Sequence, residues 1–253
     1  MPEPAVTQKI KHAIWKIYYR ALTPYLDRRL TSVLNQIAVA DTDSLRQKDY
    51  VKQLIQKIGL ARDKRNIYGE DEKYMNPIKR GLWQIPDQLA DFAIFLSEQE
   101  IKSFIEIGTW TGHTFVFLMA YLSRFNPTLT GITVDVSDNK PVSYLWNGRF
   151  KAKFIIGHSG DFEAQPFDLC LIDGDHSFDA VNTDFRNIGI NSKICAFHDI
   201  NDSIVENYPG NDGGVPRFWK EIKLEHQNKK FYEFLSHTKK SRVMGIGVIC
   251  MKS

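Results

Sequence analysis

The stretch "SFIEIGTWTGHTFVFL", Ser103–Leu118, decides how this chain is read. A short apolar run ends at Ile107, a turn containing Gly108 and Gly112 follows, and an apolar segment of helical length begins directly after it. Strand, glycine turn and helix in immediate succession open a βα unit, in which the turn approaches a ligand closely and the helix N-terminus offers free N–H groups. Glu106 stands two residues before the first glycine, so the spacing is not the G-x-G-x-x-G of dinucleotide dehydrogenases.

Working outward, helix and strand patterns alternate from Leu82 onward. "IPDQLADFAIFLSEQ" is an amphipathic helix opening on Pro86, and "LTGITVDV", "AKFIIG", "FDLCLID" and "KICAFHD" are short apolar strands. Such alternation predicts a mainly parallel, doubly wound α/β sheet of Rossmann-like type. "FYEFLSH" and "GIGVICMK" predict an antiparallel hairpin at one sheet edge. Before Leu82 the pattern is helical: apolar residues recur from Thr7 to Ala40, Pro24 predicts a break into two helices, and "SLRQKDYVKQLIQKIGLA" predicts another, capped by Asp43-Ser44 and ending near Gly59. The polar stretch from Ala61 to Gly81 reads as a linker or mobile loop. The expected organisation is therefore a helical N-terminal extension and linker over 1–80 and a ligand-binding domain over 81–253.

Composition narrows the class. The chain has 253 residues, 43% hydrophobic and 25% charged, enough for one large core. Its longest apolar run, "FVFLMAYL", is far below the roughly 20 residues of a membrane span, so no membrane partner is expected. The N-terminus carries no secretory pattern, and Cys170, Cys195 and Cys250 are odd in number and set in apolar runs. Reduced thiols and a cytoplasmic location are the expectation. The net charge of +3 hides an asymmetry, because residues 1–80 hold 16 Lys+Arg against 9 Asp+Glu. A nucleic-acid partner is thus possible, yet no aromatic-interleaved basic stripe accompanies the surplus, and it is not favoured.

The second informative stretch is "LCLIDGDHSFDAV", Leu169–Val181, in which an apolar strand stops on two carboxylates and an imidazole. In a doubly wound sheet its end should lie beside the end of "KICAFHD", so that Asp173 and Asp199 converge and can share a divalent cation. Asp135, 23 residues after Gly112, ends the strand following the glycine loop, where an acid can accept hydrogen bonds from ribose hydroxyls.

Glu106-x-Gly108-x-x-x-Gly112 resembles motif I of the class I S-adenosylmethionine-dependent methyltransferases, with Trp110 at the middle glycine position. That substitution implies a φ the loop reaches without glycine. The resemblance implies that Glu106 organises the methionine amino end, that Gly108, Thr109, Gly112 and Thr114 line the cofactor, that Asp135 takes the ribose, and that Ser159, Gly160 and Asp161 touch the adenine. The Asp173-Gly174-Asp175-His176 stretch, "WQIPDQLADF", "HDIND" and "GGVPRFWKEI" are together similar to the branch containing cephalosporin hydroxylase-like proteins and macrolide or sugar O-methyltransferases. From it follow further expectations: Gln84 and Asp173 beside the cofactor, Asp173, His198 and Asp199 on a divalent metal (Mg²⁺ or Mn²⁺), and His176 or Asp175 as general base. An imidazole suits proton transfer near neutrality, which favours His176.

The implied activity is O-methylation of a small-molecule or sugar hydroxyl. The rivals are a nucleic-acid methyltransferase using the basic helices and a hydroxylase-like metal enzyme built on His176, His198 and a carboxylate. Trp83, Tyr144, Trp146, Phe218 and Trp219 are aromatic candidates for an acceptor pocket, and "YPGNDGGVPRF" has the glycine content of a lid.

Overall fold

Strands β1 (Ser103–Ile107), β4 (Leu169–Ile172) and β5 (Ile194–His198) are apolar almost without alternation because both faces of their sheet are covered. Their residues divide by twos. Phe104, Leu169, Leu171, Ile194 and Ala196 enter one core, while Ile105, Ile107, Cys170, Ile172, Cys195 and Phe197 enter the other. The computed structural model describes residues 5–139, 141–143, 148–236 and 243–252.

The first core is closed by α1 (Ala5–Val39), α2 (Lys48–Ile58), α3 (Pro86–Ser97) and α4 (His113–Leu122). The second is closed by α5 (Phe178–Asn187) and α7 (Gly214–Glu225), with the short α6 (Ser203–Asn207) alongside. With β2 (Thr130–Asp135), β3 (Lys151–Ile156), β6 (Lys230–Phe234) and β7 (Ile246–Cys250), the strand order is β3-β2-β1-β4-β5-β7-β6. Strand β7 runs antiparallel to both β5 and β6, and every other pairing is parallel. The expected doubly wound sheet with an antiparallel edge is therefore present. The chain builds outward from β1 to β3, returns, and continues from β4 on the other side, so the strand order reverses between β1 and β4. Ligand crevices form at such a reversal, beyond the carboxyl ends of the strands.

The N-terminal part departs from the sequence reading in three ways. Pro24 does not divide α1, which runs through it as one helix. Pro24 is exposed and the Thr23 hydroxyl donates to the Tyr19 carbonyl at 2.8 Å, while Leu26, Leu30, Val33, Leu34 and Ile37 anchor the following turns in the core. Asp43-Ser44 is not the cap of a single helix. A 3₁₀ turn spans Ser44–Arg46, and its first N–H is taken by Asp41 at 2.7 Å. Residues 61–81 are folded onto the body: Leu60 and Ala61 N–H groups reach the Tyr74 and Leu82 carbonyls, and the Tyr68 ring is buried with its hydroxyl on the Ala61 carbonyl. Gly59 and Gly81, both at positive φ, allow the buried Asn76 side chain to lie against them.

Among the described residues no helix is long and apolar enough to cross a membrane. Cys170 and Cys195 are buried on neighbouring strands, Cys250 is partly buried, and none is in a disulfide.

Candidate functional site

The ends of β1 and β4 meet at Gly108. Its N–H donates to the Val134 carbonyl and the Asp173 N–H to the Ile107 carbonyl, both at 2.8 Å, which carries the ladder to its last residues. At φ +96 a side chain would be strained, and a Cβ at Gly108 would stand 2.0 Å from the Asp173 carbonyl oxygen. Gly112, at φ +75, then starts α4. Trp110 between them lies at φ +46, so the loop reaches a left-handed backbone here without glycine. Left-handed backbone costs an L-residue roughly 1–2 kcal/mol. The Trp110 N–H donates to Asp135 Oδ2 at 2.8 Å, which offsets part of that cost and fixes the loop to the end of β2.

Glu106 is buried at 1% exposure, and its Oε2 accepts from Thr133 Oγ1 at 2.6 Å; Thr133 in turn lies 2.7 Å from Thr109 Oγ1. Burial pushes the Glu106 carboxyl well above its ordinary range, against the lowering effect of that bond. Beside it, His113 opens α4 with Nδ1 2.9 Å from Thr111 Oγ1; burial and the Arg80 charge lower this imidazole to about 3. His113 was not singled out from the sequence, although its place directly after Gly112 was the available signal. Met244, which also lines the site, had no local signal at all.

A cavity of about 280 Å³ is lined by Glu106, Thr109, Gly112, Thr114, Trp83 and the His176–His198–Asp199 group. Beside it lies a second cavity of about 920 Å³, lined by Asp135, Ser159, Gly160 and, from α5, Asp184 and Asn187. Gly108, Trp110, Asp173 and Gly174 line both. The sequence-predicted residues thus gather along one crevice, with exceptions. Asp161 is not among the lining residues; its Oδ2 accepts the His158 N–H at 2.8 Å and closes a 3₁₀ turn. Gln84 sits behind the site, its amide donating to Asp173 Oδ2 at 3.0 Å.

Next to the smaller cavity, two carboxylates and two imidazoles form a compact cluster. His198 Nδ1 lies 3.0 Å from Asp173 Oδ1 and 3.3 Å from Asp199 Oδ1. His176 Nδ1 lies 3.4 Å from Asp199 Oδ2, while its Nε2 is 4.0 Å from Asp173 Oδ1. Burial alone would lower the His198 imidazole, but the Asp173 and Asp199 charges raise it to about 9. Burial raises Asp199, opposed by both imidazoles. This arrangement does not fit the expected metal centre. The His198 ring stands between the carboxylates at hydrogen-bonding distance, where a nitrogen acting as donor cannot ligate. Among the described residues, no group of three or more His, Cys, Asp or Glu side chains could hold a metal ion.

Asp175 lines the larger cavity, and its Oδ1 accepts the Ser177 N–H at 2.8 Å, which holds its carboxyl below the ordinary range and makes it the weaker base. Ser177 caps α5, its hydroxyl accepting the Ala180 N–H. Of the aromatic candidates, Trp83 lines the cavity, Phe218 and Trp219 are buried in the second core, and Tyr144 and Trp146 lie outside the described residues. The "YPGNDGGVPRF" segment buttresses the His176 turn: the Asn211 carbonyl accepts the Phe178 N–H at 2.9 Å, and a Cβ at Gly214 would meet the His176 carbonyl at 2.6 Å.

Residues 105–190, from β1 past α5, match a family model described as a methyltransferase domain. No curated protein matches the chain. Among solved structures, the fold is similar to that of the O-methyltransferase TomG from Streptomyces achromogenes, involved in tomaymycin synthesis and determined in complex with SAM, at 13% identity and a TM-score of 0.52 over 68% of this chain and 82% of that one. It is similar also to cofactor-bound Rv0187 from MTB, at 13% identity and a TM-score of 0.52 over 68% and 83% of the two chains.

Proposed function

We propose that this chain, a class I S-adenosylmethionine-dependent methyltransferase, methylates a hydroxyl oxygen of a small molecule or sugar. The observation that carries the reading is the continuity of the crevice, from Asp135 past the Gly108 loop to Glu106 and on to His176. The residues fit the cofactor. Gly108 lets the loop lie directly against the Asp173 backbone, where any side chain would collide, Glu106 is a buried acid suited to an ammonium group, and Asp135, whose Oδ1 accepts from Ser137 and Asn139, keeps acceptor capacity on Oδ2 beyond its bond from the Trp110 N–H. Ser159 and Gly160 line the far end, where adenine would lie.

Bound there, S-adenosylmethionine supplies a methyl group on a sulfonium centre. His176 then acts as the base: with Nδ1 facing Asp199, Nε2 is left to accept the acceptor's proton. The chemistry the cofactor would supply is transfer of that methyl group to the hydroxyl oxygen, the sulfur keeping the bonding pair and leaving as a neutral thioether. Holding the two reactants in line, in a crevice walled by Trp83 and Met244, supplies much of the rate.

A small acceptor is favoured over nucleic acid because part of the N-terminal basic surplus is engaged within the fold. Lys48 and Lys52 pair with Asp91 and Asp87 at 2.6 and 2.7 Å, and Arg29 donates to Asn76 and the Lys57 carbonyl. The test is incubation with methyl-labelled S-adenosylmethionine and separate panels of phenols, sugars and RNA. Label on a hydroxyl oxygen of a phenol or sugar, lost in His176→Ala by at least about 100-fold, is expected. Label entering only RNA would contradict the proposal.

A further inference from the structure

Resting on the methyltransferase reading, we infer that the His198 Nδ1–H takes the bridging position of a divalent metal between Asp173 and Asp199, so that methyl transfer in this chain needs no metal ion. Each carboxylate oxygen of the pair already has a protein partner. Asp173 Oδ1 faces His198 at 3.0 Å and Oδ2 accepts from the Gln84 amide at 3.0 Å. Asp199 Oδ1 faces His198 at 3.3 Å and Oδ2 faces His176 at 3.4 Å. A cation bridging the two Oδ1 atoms would have to take the place of the His198 Nδ1–H that lies between them, and ligand oxygens around Mg²⁺ would have to close to about 2.1 Å.

The bridge is built into the backbone. His198 is the last residue of β5, paired in register with Ile246 of β7, and its ring is 4% exposed. Asp173 follows β4 directly, with its N–H on the Ile107 carbonyl, and Asp199 is set by a left-handed turn at φ +63. Three neighbouring backbone positions therefore hold the donor and the two acceptors together. The consequence for the reaction is positional. With Oδ1 of Asp199 held by His198, Oδ2 is presented to His176 and orients the base toward the crevice. Removal of the acceptor's proton is then left to His176 alone.

The test is Mn²⁺ binding to the full-length protein, followed by electron paramagnetic resonance and calorimetry, together with turnover in chelator. Wild-type protein is expected to show no saturable Mn²⁺ binding up to about 1 mM, a range that covers weak carboxylate sites, and chelator should change turnover by less than about twofold. His198→Asp removes the donor and adds a third carboxylate; it should bind Mn²⁺ at least about tenfold more tightly than wild type. His198→Asn, which keeps a donor amide, should bind no Mn²⁺ and should retain cofactor binding, and it serves if the Asp variant does not fold. Micromolar Mn²⁺ binding by wild type that is lost in Asp199→Asn, or chelator-sensitive turnover, would overturn the inference. Failure of the methyltransferase reading appears elsewhere, as absence of S-adenosylmethionine binding by calorimetry, a result on which the Mn²⁺ titration does not depend.

Discussion

His113 illustrates how one side chain beside the Gly108–Gly112 loop is set by its surroundings. Burial and the Arg80 charge lower it to about 3, against an ordinary value near 6.5, so in the folded protein it remains neutral. The unfolded chain takes up a proton at this residue below pH 6.5 and the folded chain does not. Its contribution to stability is therefore present above about pH 6.5 and lost as pH falls toward 3, with a slope of up to about 1.4 kcal/mol per pH unit. Denaturant unfolding of His113→Gln between pH 6 and 4 should show a shallower fall in stability than wild type; identical slopes would refute the assignment. At this scale the sequence was informative where spacing constrains chemistry. Glu106, Gly108, Asp135 and His176 were legible because each ends or follows a strand at a fixed offset from a glycine turn. The loss of Asp161 to its own 3₁₀ turn was not legible, since it depends on a bond to the His158 N–H that no spacing announces. Nor was the role of His198, which is decided by which neighbour its ring nitrogen meets across two strands.

Among the elements, the two-sided strands were the easiest to read. Uninterrupted apolar runs such as Leu169–Ile172 exist because successive residues enter different cores, and short runs between helical patterns leave few alternatives to a parallel sheet. Helix α1 was misread because local propensity was weighed without its tertiary anchor. Pro24 does remove a helix hydrogen bond, yet the buried stripe from Leu26 to Ile37 holds the following turns in place. The cost is still paid at an exposed position. Pro24→Ala should therefore stabilise the protein by about 1–3 kcal/mol, read as a higher denaturant midpoint with unchanged slope. A lower midpoint would mean that the proline shapes α1 rather than merely being tolerated in it.

At the scale of the whole molecule, the N-terminal residues and the sheet share a core. Helices α1 and α2 pack in the cluster that also holds Phe104 and Leu171, the Tyr121 hydroxyl donates to the Leu45 carbonyl at 2.6 Å, and Arg124 reaches the Ala40 carbonyl at 2.9 Å. Composition hid this, because the charged stretch after Gly59 looks like a linker until Tyr68, Asn76 and Arg80 are seen to be buried. The reversal of strand order between β1 and β4 then gathers Glu106, Asp135, Asp173 and the two imidazoles at one end of the sheet. The measurement that tests the central claim most directly is calorimetric titration of the full-length protein with S-adenosylmethionine, with NAD as control and with Glu106→Gln alongside. The account expects saturable binding of S-adenosylmethionine and none of NAD, and at least about tenfold weaker binding in the variant, which corresponds to about 1.4 kcal/mol. Absence of S-adenosylmethionine binding, or equal affinity for NAD, would contradict it.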